Sequence, residues 1–201
     1  MKRFACDHCG NEVYFESIVC VRCLKPIGYQ PKVAAMASAH GGSFVADGSP
    51  FKPCANRDLA DCNWLLPASS SDGFCMSCAL DRTIPNLSDQ VALSRWKKVE
   101  LAKRGLLYSI TRWNLPLQSN SADAGKGLAF DCLADRTNSD GSIERVVTGH
   151  SDGLITINIA EADDAEREKR RNQLNEPYRT LLGHLRHEVG HYYWDLSLIH
   201  I

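Results

Sequence analysis

The chain has 201 residues, with 23 Lys and Arg against 24 Asp and Glu for a formal charge of −1. That balance argues against a general nucleic-acid or acidic-membrane binder, which carries a basic excess. With 44% hydrophobic and 23% charged residues, wholesale disorder is excluded, and the length suits one or two domains. The longest apolar run, Val33 to Ala37, is far short of the ~20 residues that span a bilayer. Cys6, Asp7 and His8 break the segment where the apolar stretch of a signal peptide would begin. The sequence therefore reads as soluble and cytoplasmic.

Nine cysteines in a cytoplasmic chain call for metal rather than disulfides, because cytosolic thiols are kept reduced. Eight fall within the first 78 residues. Cys6-x2-Cys9 and Cys20-x2-Cys23 are two knuckles, each aiming two thiolates at one ion, and four thiolates complete the tetrahedron zinc prefers. Residues 1–30 thus predict a zinc ribbon, with Asn11–Phe15 and Ile18–Val19 as its strand pair around a turn at Glu16-Ser17. Residues 31–85 form a second cysteine-rich segment with Cys54, Cys62, Cys75 and Cys78 as its metal set. Only Cys75-x2-Cys78 is a standard knuckle there, so Asp58, Asp61 and His40 stand as alternative ligands. Such closed sites leave no coordination position for substrate and serve folding. Cys132 reads as a buried strand residue, and His8 as solvent-facing.

Beyond Thr83-Ile84-Pro85, a helix capped by Asn86 or Ser88 is predicted from Ala92, Trp96, Val99, Ala102 and Leu106 at helical spacing. Arg95, Lys97, Lys98, Lys103 and Arg104 form its solvated face. Three strands follow, at Gly127–Leu133, Ile143–Thr148 and Leu154–Ala160, with turns at Asn138–Gly141 and Ser151-Asp152-Gly153. The run from Glu161 to Arg171, acids first and bases last, reads as a solvated helix. Asn175 begins a further helix, with Pro177 in its first turn.

That last helix carries His187-Glu188-Val189-Gly190-His191. Histidines four residues apart project from one helical face and can both bind one zinc, and the Glu beside them can take a proton from a metal-bound water. His184 lies roughly on the same side, but its backbone is ~10 Å from that of His191 at 1.5 Å rise per residue. It reads as a surface or supporting group rather than a ligand. The Leu154–Ala160 strand reads as an edge that an extended peptide could pair with, which would bring His150 near the site; the plainer reading of His150 is a loop histidine.

Several stretches together resemble the zinc-binding metallopeptidases that carry an N-terminal zinc ribbon. They are Pro53–Arg57, Cys62–Leu65, Arg82–Leu87, Gly149–Asn158, Glu176–His184 and His187–Asp195. The resemblance implies a zincin-like fold, two ribbon-type structural zincs and one catalytic zinc. It makes His187 and His191 ligands and Glu188 the general base, and places a third, acidic ligand downstream. The chain ends ten residues after His191, and Leu196–Ile201 resembles a translated sequencing adapter. The expectation is a C-terminally truncated, inactive peptidase whose Tyr192, Tyr193 and Trp194 lack their cover.

The expected class is α+β: the ribbon region, then a zincin-like domain over residues 86–195 with a short antiparallel sheet and an active-site helix. The expected partner is a peptide or protein substrate, with no membrane. The alternative is a non-catalytic zinc-ribbon module binding protein or nucleic acid, which the few basic residues of 1–30 support weakly.

Overall fold

The computed structural model describes residues 2–119, 127–173 and 180–198. The chain divides into two compact units, Met1–Ala79 and Leu80–Ile201. Asp81–Thr83 falls in the second because it pairs with a strand of that unit's sheet.

In the first unit, β1 (Phe4–Ala5) pairs antiparallel with β2 (Glu12–Val13). The expected pairing of residues 11–15 with 18–19 does not form. Each cysteine knuckle is itself the reversal, so the residues flanking it meet: Ala5 with Glu12 across Cys6–Cys9, and Val19 with Pro26 across Cys20–Cys23. Next come β3 (Ile27–Gln30), β4 (Ala35–His40), β5 (Ser43–Ala46), β6 (Ser49–Pro53), the short helix α1 (Arg57–Ala60) and β7 (Leu65–Pro67). These strands form an antiparallel meander in the order β3-β4-β5-β6-β7. Its ends approach each other, with the Tyr29 N–H donating to Asn63 O at 2.6 Å. Gly28 permits that approach, since a Cβ there would lie 2.6 Å from the Leu65 side chain. Phe4, Phe15, Tyr29 and Trp64 pack ring against ring at 5.0–6.1 Å, supplying an aromatic core.

The second unit opens with β8 (Asp81–Thr83) and the long helix α2 (Gln90–Arg112), followed by β9 (Ala129–Leu133), β10 (Arg136–Thr137), β11 (Ile143–Glu144), β12 (Gly149–Ser151) and β13 (Leu154–Asn158). A 3-10 turn at Ile159–Ala162 leads to α3 (Asp164–Gln173), and α4 (Leu181–Leu198) follows. The α+β class holds. The four-stranded sheet, ordered β12-β13-β9-β8, is mixed rather than antiparallel. The helix α2 is the crossover between β8 and β9, and such a connection makes neighbouring strands parallel. Only the β12–β13 hairpin is antiparallel.

Three local expectations change. The cap of α2 is Asp89, whose carboxylate accepts from the N–H groups of Val91 and Ala92. On that helix Lys103 and Arg104 are buried, not solvated, because Lys103 pairs with the buried carboxylates of Asp81 and Glu100. The middle strand ends at Glu144, well before Thr148. The expected helix start at Asn175 and Pro177 lies outside the described residues. No described helix is long and apolar enough to cross a membrane.

Candidate metal centres

Two sets of four cysteines gather in the first unit: Cys6, Cys9, Cys20 and Cys23, and Cys54, Cys62, Cys75 and Cys78. Within the first, Cys6 and Cys23 sulfurs are 3.7 Å apart and those of Cys9 and Cys20 3.6 Å. In the second, Cys62 lies 3.6 Å from Cys75 and 3.8 Å from Cys78. A disulfide needs about 2.05 Å. Four thiolates at ~2.3 Å from one zinc stand about 3.8 Å apart along each tetrahedral edge. The spacings therefore fit a shared zinc and exclude disulfides. Neither set of four includes Asp58, Asp61 or His40, so these are not needed as ligands.

Within each set the thiols shift in opposite directions, Cys20 and Cys54 downward and Cys6, Cys23, Cys62 and Cys75 upward. The Cys23 N–H, chief among several donors, pulls the Cys20 thiol down to about 6. In the second set, hydrogen bonds from Cys62, Cys75 and Cys78 hold Cys54 far below the ordinary thiol range. Arg57 links the two cysteine-rich segments by donating to Ile18 O at 2.7 Å and Ile27 O at 3.1 Å. Cys132 stands apart in β9, where burial pushes its thiol well up.

A different donor pair sits on α4. Leu185, Glu188, Val189 and Tyr192 turn inward and are buried, while His187, Gly190, His191 and Trp194 face out. This spacing follows the helical period. His187 Nε2 and His191 Nε2 converge to 3.1 Å, close to the roughly 3.3 Å between two imidazole nitrogens sharing one tetrahedral zinc at 2.0–2.1 Å. Among the described residues no third His, Cys, Asp or Glu donor completes this pair.

The surroundings of the pair include residues the sequence had placed elsewhere. His150 lies on β12, not in a loop, and its ring stacks 6.2 Å from that of His191. Its Nδ1 is 3.9 Å from Asp195 Oδ2. The sheet edge beside α4 is β12, because β13 is flanked on both sides; the strand at Leu154–Ala160 is therefore not the edge expected of it. Glu161 is buried and lies 2.7 Å from His184 Nδ1, and His184 Nε2 lies 3.1 Å from Glu188 Oε1. Of the aromatic residues expected to lack cover, Tyr192 is buried and the Tyr193 hydroxyl donates to Pro116 O at 2.9 Å. Only Trp194 stands largely exposed.

Residues 92–200 match the family described as "Putative zinc-binding metallo-peptidase", a span that covers more than half of the chain and includes α4. The chain belongs to this family. Residues 3–89 match a zinc-ribbon domain, which with the two thiol sets supports zinc binding. Similar curated proteins, each described as uncharacterized, come from Mycobacterium bovis and two strains of Mycobacterium tuberculosis. Each is 38% identical over 194 residues, covering 96% of this chain and 53% of the relative. The chain thus spans about half the length of these relatives. No solved structure matches it.

The His-Glu-x-x-His pattern at residues 187–191 was legible before the structure, and so were both cysteine sets. Glu161 was not. Its acidic neighbours Asp163 and Asp164 give it the look of a helix N-terminus, and its only sequence-level signal is the apolar Ile157, Ile159, Ala160 and Ala162 around it.

Proposed function

We propose that the chain carries the structural ribbons and the catalytic helix of a zinc-dependent peptidase. The observation that supports this best is the convergence of His187 and His191 nitrogens on one face of α4, with Glu188 between them in sequence. The reading counts three zinc ions, two on the cysteine sets and one at the His187/His191 pair. It assigns the third protein ligand of that pair to an acidic side chain outside the described residues.

Zinc bound there would polarise the scissile carbonyl and bring the pKa of a coordinated water to about 7. The chain's own residues do the rest. Glu188 accepts a proton from the attacking water on a carboxylate oxygen and then delivers it to the departing amine nitrogen. The outer edge of β12 offers backbone N–H and C=O groups to an extended peptide, laying it alongside α4. His150, opposite Ile155 in that hairpin, brings its ring to the same place. The reducing cytoplasm is the compartment that suits nine free cysteines, eight of them in two tetrads.

The test uses a protein spanning the full length of the relatives. There Glu188→Gln abolishes peptide hydrolysis while zinc at the site is retained, and His187→Ala loses that zinc. Wild-type turnover in Glu188→Gln would defeat the general-base assignment. Absence of hydrolysis in the zinc-loaded parent would leave a ribbon module that binds protein or nucleic acid, and binding assays at two salt concentrations would then distinguish the two.

A further inference from the structure

Glu161 belongs to the turn that ends β13, yet its carboxylate serves α4. Its side chain is 1% exposed. Oε1 accepts from the Thr148 hydroxyl at 2.7 Å, and that hydroxyl accepts from the Asn158 N–H at 3.0 Å. Oε2 lies 2.7 Å from His184 Nδ1. Across the ring, His184 Nε2 lies 3.1 Å from Glu188 Oε1. One imidazole therefore bridges two carboxyl groups from different elements.

An ionised carboxylate only accepts hydrogen bonds, and a neutral imidazole has one N–H. With a carboxyl group at each ring nitrogen, the imidazole is held between Glu161 and Glu188. Burying such a set is costly unless every member is satisfied, and here each polar atom named has a partner. The arrangement engages Oε1 of Glu188.

We propose that Glu161 and His184 are positioning residues for Glu188, orienting its carboxylate so that Oε2 faces the reacting water. The proposal rests on Glu188 being the general base. In the step it serves, a water O–H bond breaks and the Oε2–H bond forms, while the oxygen's electron pair adds to the peptide carbonyl carbon. The Oε2–H bond then breaks as the amine N–H forms and the C–N bond cleaves. The His184 contact to Oε1 persists throughout, so the carboxylate does not swing between the two transfers.

The experiment has two arms. In the zinc-loaded protein spanning the relatives' length, Glu161→Gln and His184→Leu lower kcat about 10- to 100-fold, the usual cost of losing a group that orients a catalytic residue. KM stays within about twofold, and zinc content is unchanged. His184→Gln, whose amide can still donate to Oε1, recovers part of the loss. Equal kcat in all variants, or a loss that follows only the folded fraction, overturns the proposal. The second arm needs no turnover. Ring-nitrogen NMR of the 201-residue chain shows His184 signals displaced by Glu161→Gln, with those of exposed His8 unmoved. Undisplaced His184 signals overturn the bridge itself. A parent protein without hydrolysis defeats the peptidase reading and with it the positioning role, even where the NMR arm upholds the bridge.

Discussion

Gly153 donates its backbone N–H to His150 Nε2 at 2.9 Å, tying the tip of the β12–β13 hairpin to the ring that stacks on His191. The connection is two residues long, Asp152 at φ 49° and Gly153 at φ 84°, the Asp-Gly pair favoured by a type I′ turn. Because Nε2 accepts, the neutral ring carries its hydrogen on Nδ1, the nitrogen turned toward Asp195. A turn chosen for backbone twist thus also sets the tautomer of a site histidine. Gly153→Ala would place a Cβ 2.2 Å from Gly127 O, besides the ~1–2 kcal/mol of a left-handed residue with a side chain. The expected result is a lower thermal midpoint and a displaced His150 ring signal. An unchanged His150 signal would show that the turn does not govern the ring.

Lys103 on α2 illustrates what patterning cannot show. Its helix has Arg95, Lys97 and Lys98 nearby, so a basic stripe read from spacing looks solvated. The structure instead buries Lys103 completely between Asp81, from the other end of the crossover, and Glu100 at 2.6 Å. Its Nζ also stands 5.4 Å from the Phe130 ring centre. Lys103→Met removes the ammonium that pairs with both buried carboxylates, and breaking a buried set by removing one partner costs about 3–5 kcal/mol. Chemical denaturation of the whole chain, followed by helical circular dichroism, checks this. A change under about 1 kcal/mol would mean the carboxylates are neutralised in another way.

What was legible follows from how local each signal is. The two cysteine tetrads and the His187/His191 pair rest on spacings of three or four residues, which a knuckle or a helical turn fixes by itself. The Asp152-Gly153 turn is likewise local. The strand pairing of the ribbon was misread because the alternation at residues 11–15 says that a strand exists and not which strand it meets. Knuckle closure decides that, joining Phe4 to Val13. Glu161 escaped notice, and His150 was read as a loop histidine, for the same reason: their contacts are with partners on other elements, His184 and His191, at 23 and 41 residues' remove.

Asp131, on β9, predicts the acid response of the second unit. Burial pushes its carboxyl up, but hydrogen bonds from Arg82 and Thr83 and the guanidinium charge outweigh it and hold the group below the ordinary range. Arg82 engages both oxygens, Nε reaching Oδ1 at 3.0 Å and Nη2 reaching Oδ2. A carboxyl lowered by folding adds stability above its unfolded value, near 3.9, and that contribution is lost as pH falls through the folded value. Wild-type stability should therefore decline from about pH 4 downward. Asp131→Asn should be less stable at pH 7 and show a shallower acid decline. Parallel curves for the two proteins would remove Asp131 from the acid response.

The thiols give the most direct test of the metal reading. Four sulfurs within 4.8 Å of one another in each set should bind one zinc per set, and elemental analysis of the 201-residue chain should return two tightly held ions. Metal-bound thiolates resist alkylation, so the native protein should react slowly with a maleimide. A chelator should release both ions, unfold the first unit, and expose eight cysteines to the reagent, since metal binding is folding free energy for small segments with little core. Cys132 should stay unmodified through that step. It is wholly buried in β9 of the second unit, and burial pushes its thiol well above the ordinary range, so its thiolate is scarce and shielded. A ninth modification should appear only after denaturant is added. Cys54→Ser should drop the zinc count to one while the Cys6/Cys9/Cys20/Cys23 site keeps its ion, and Cys20→Ser should do the converse. A count of one in the unmodified chain would retain the first tetrad, whose knuckle spacing is regular, and reject the second. Eight cysteines that alkylate readily with no chelator present would reject both.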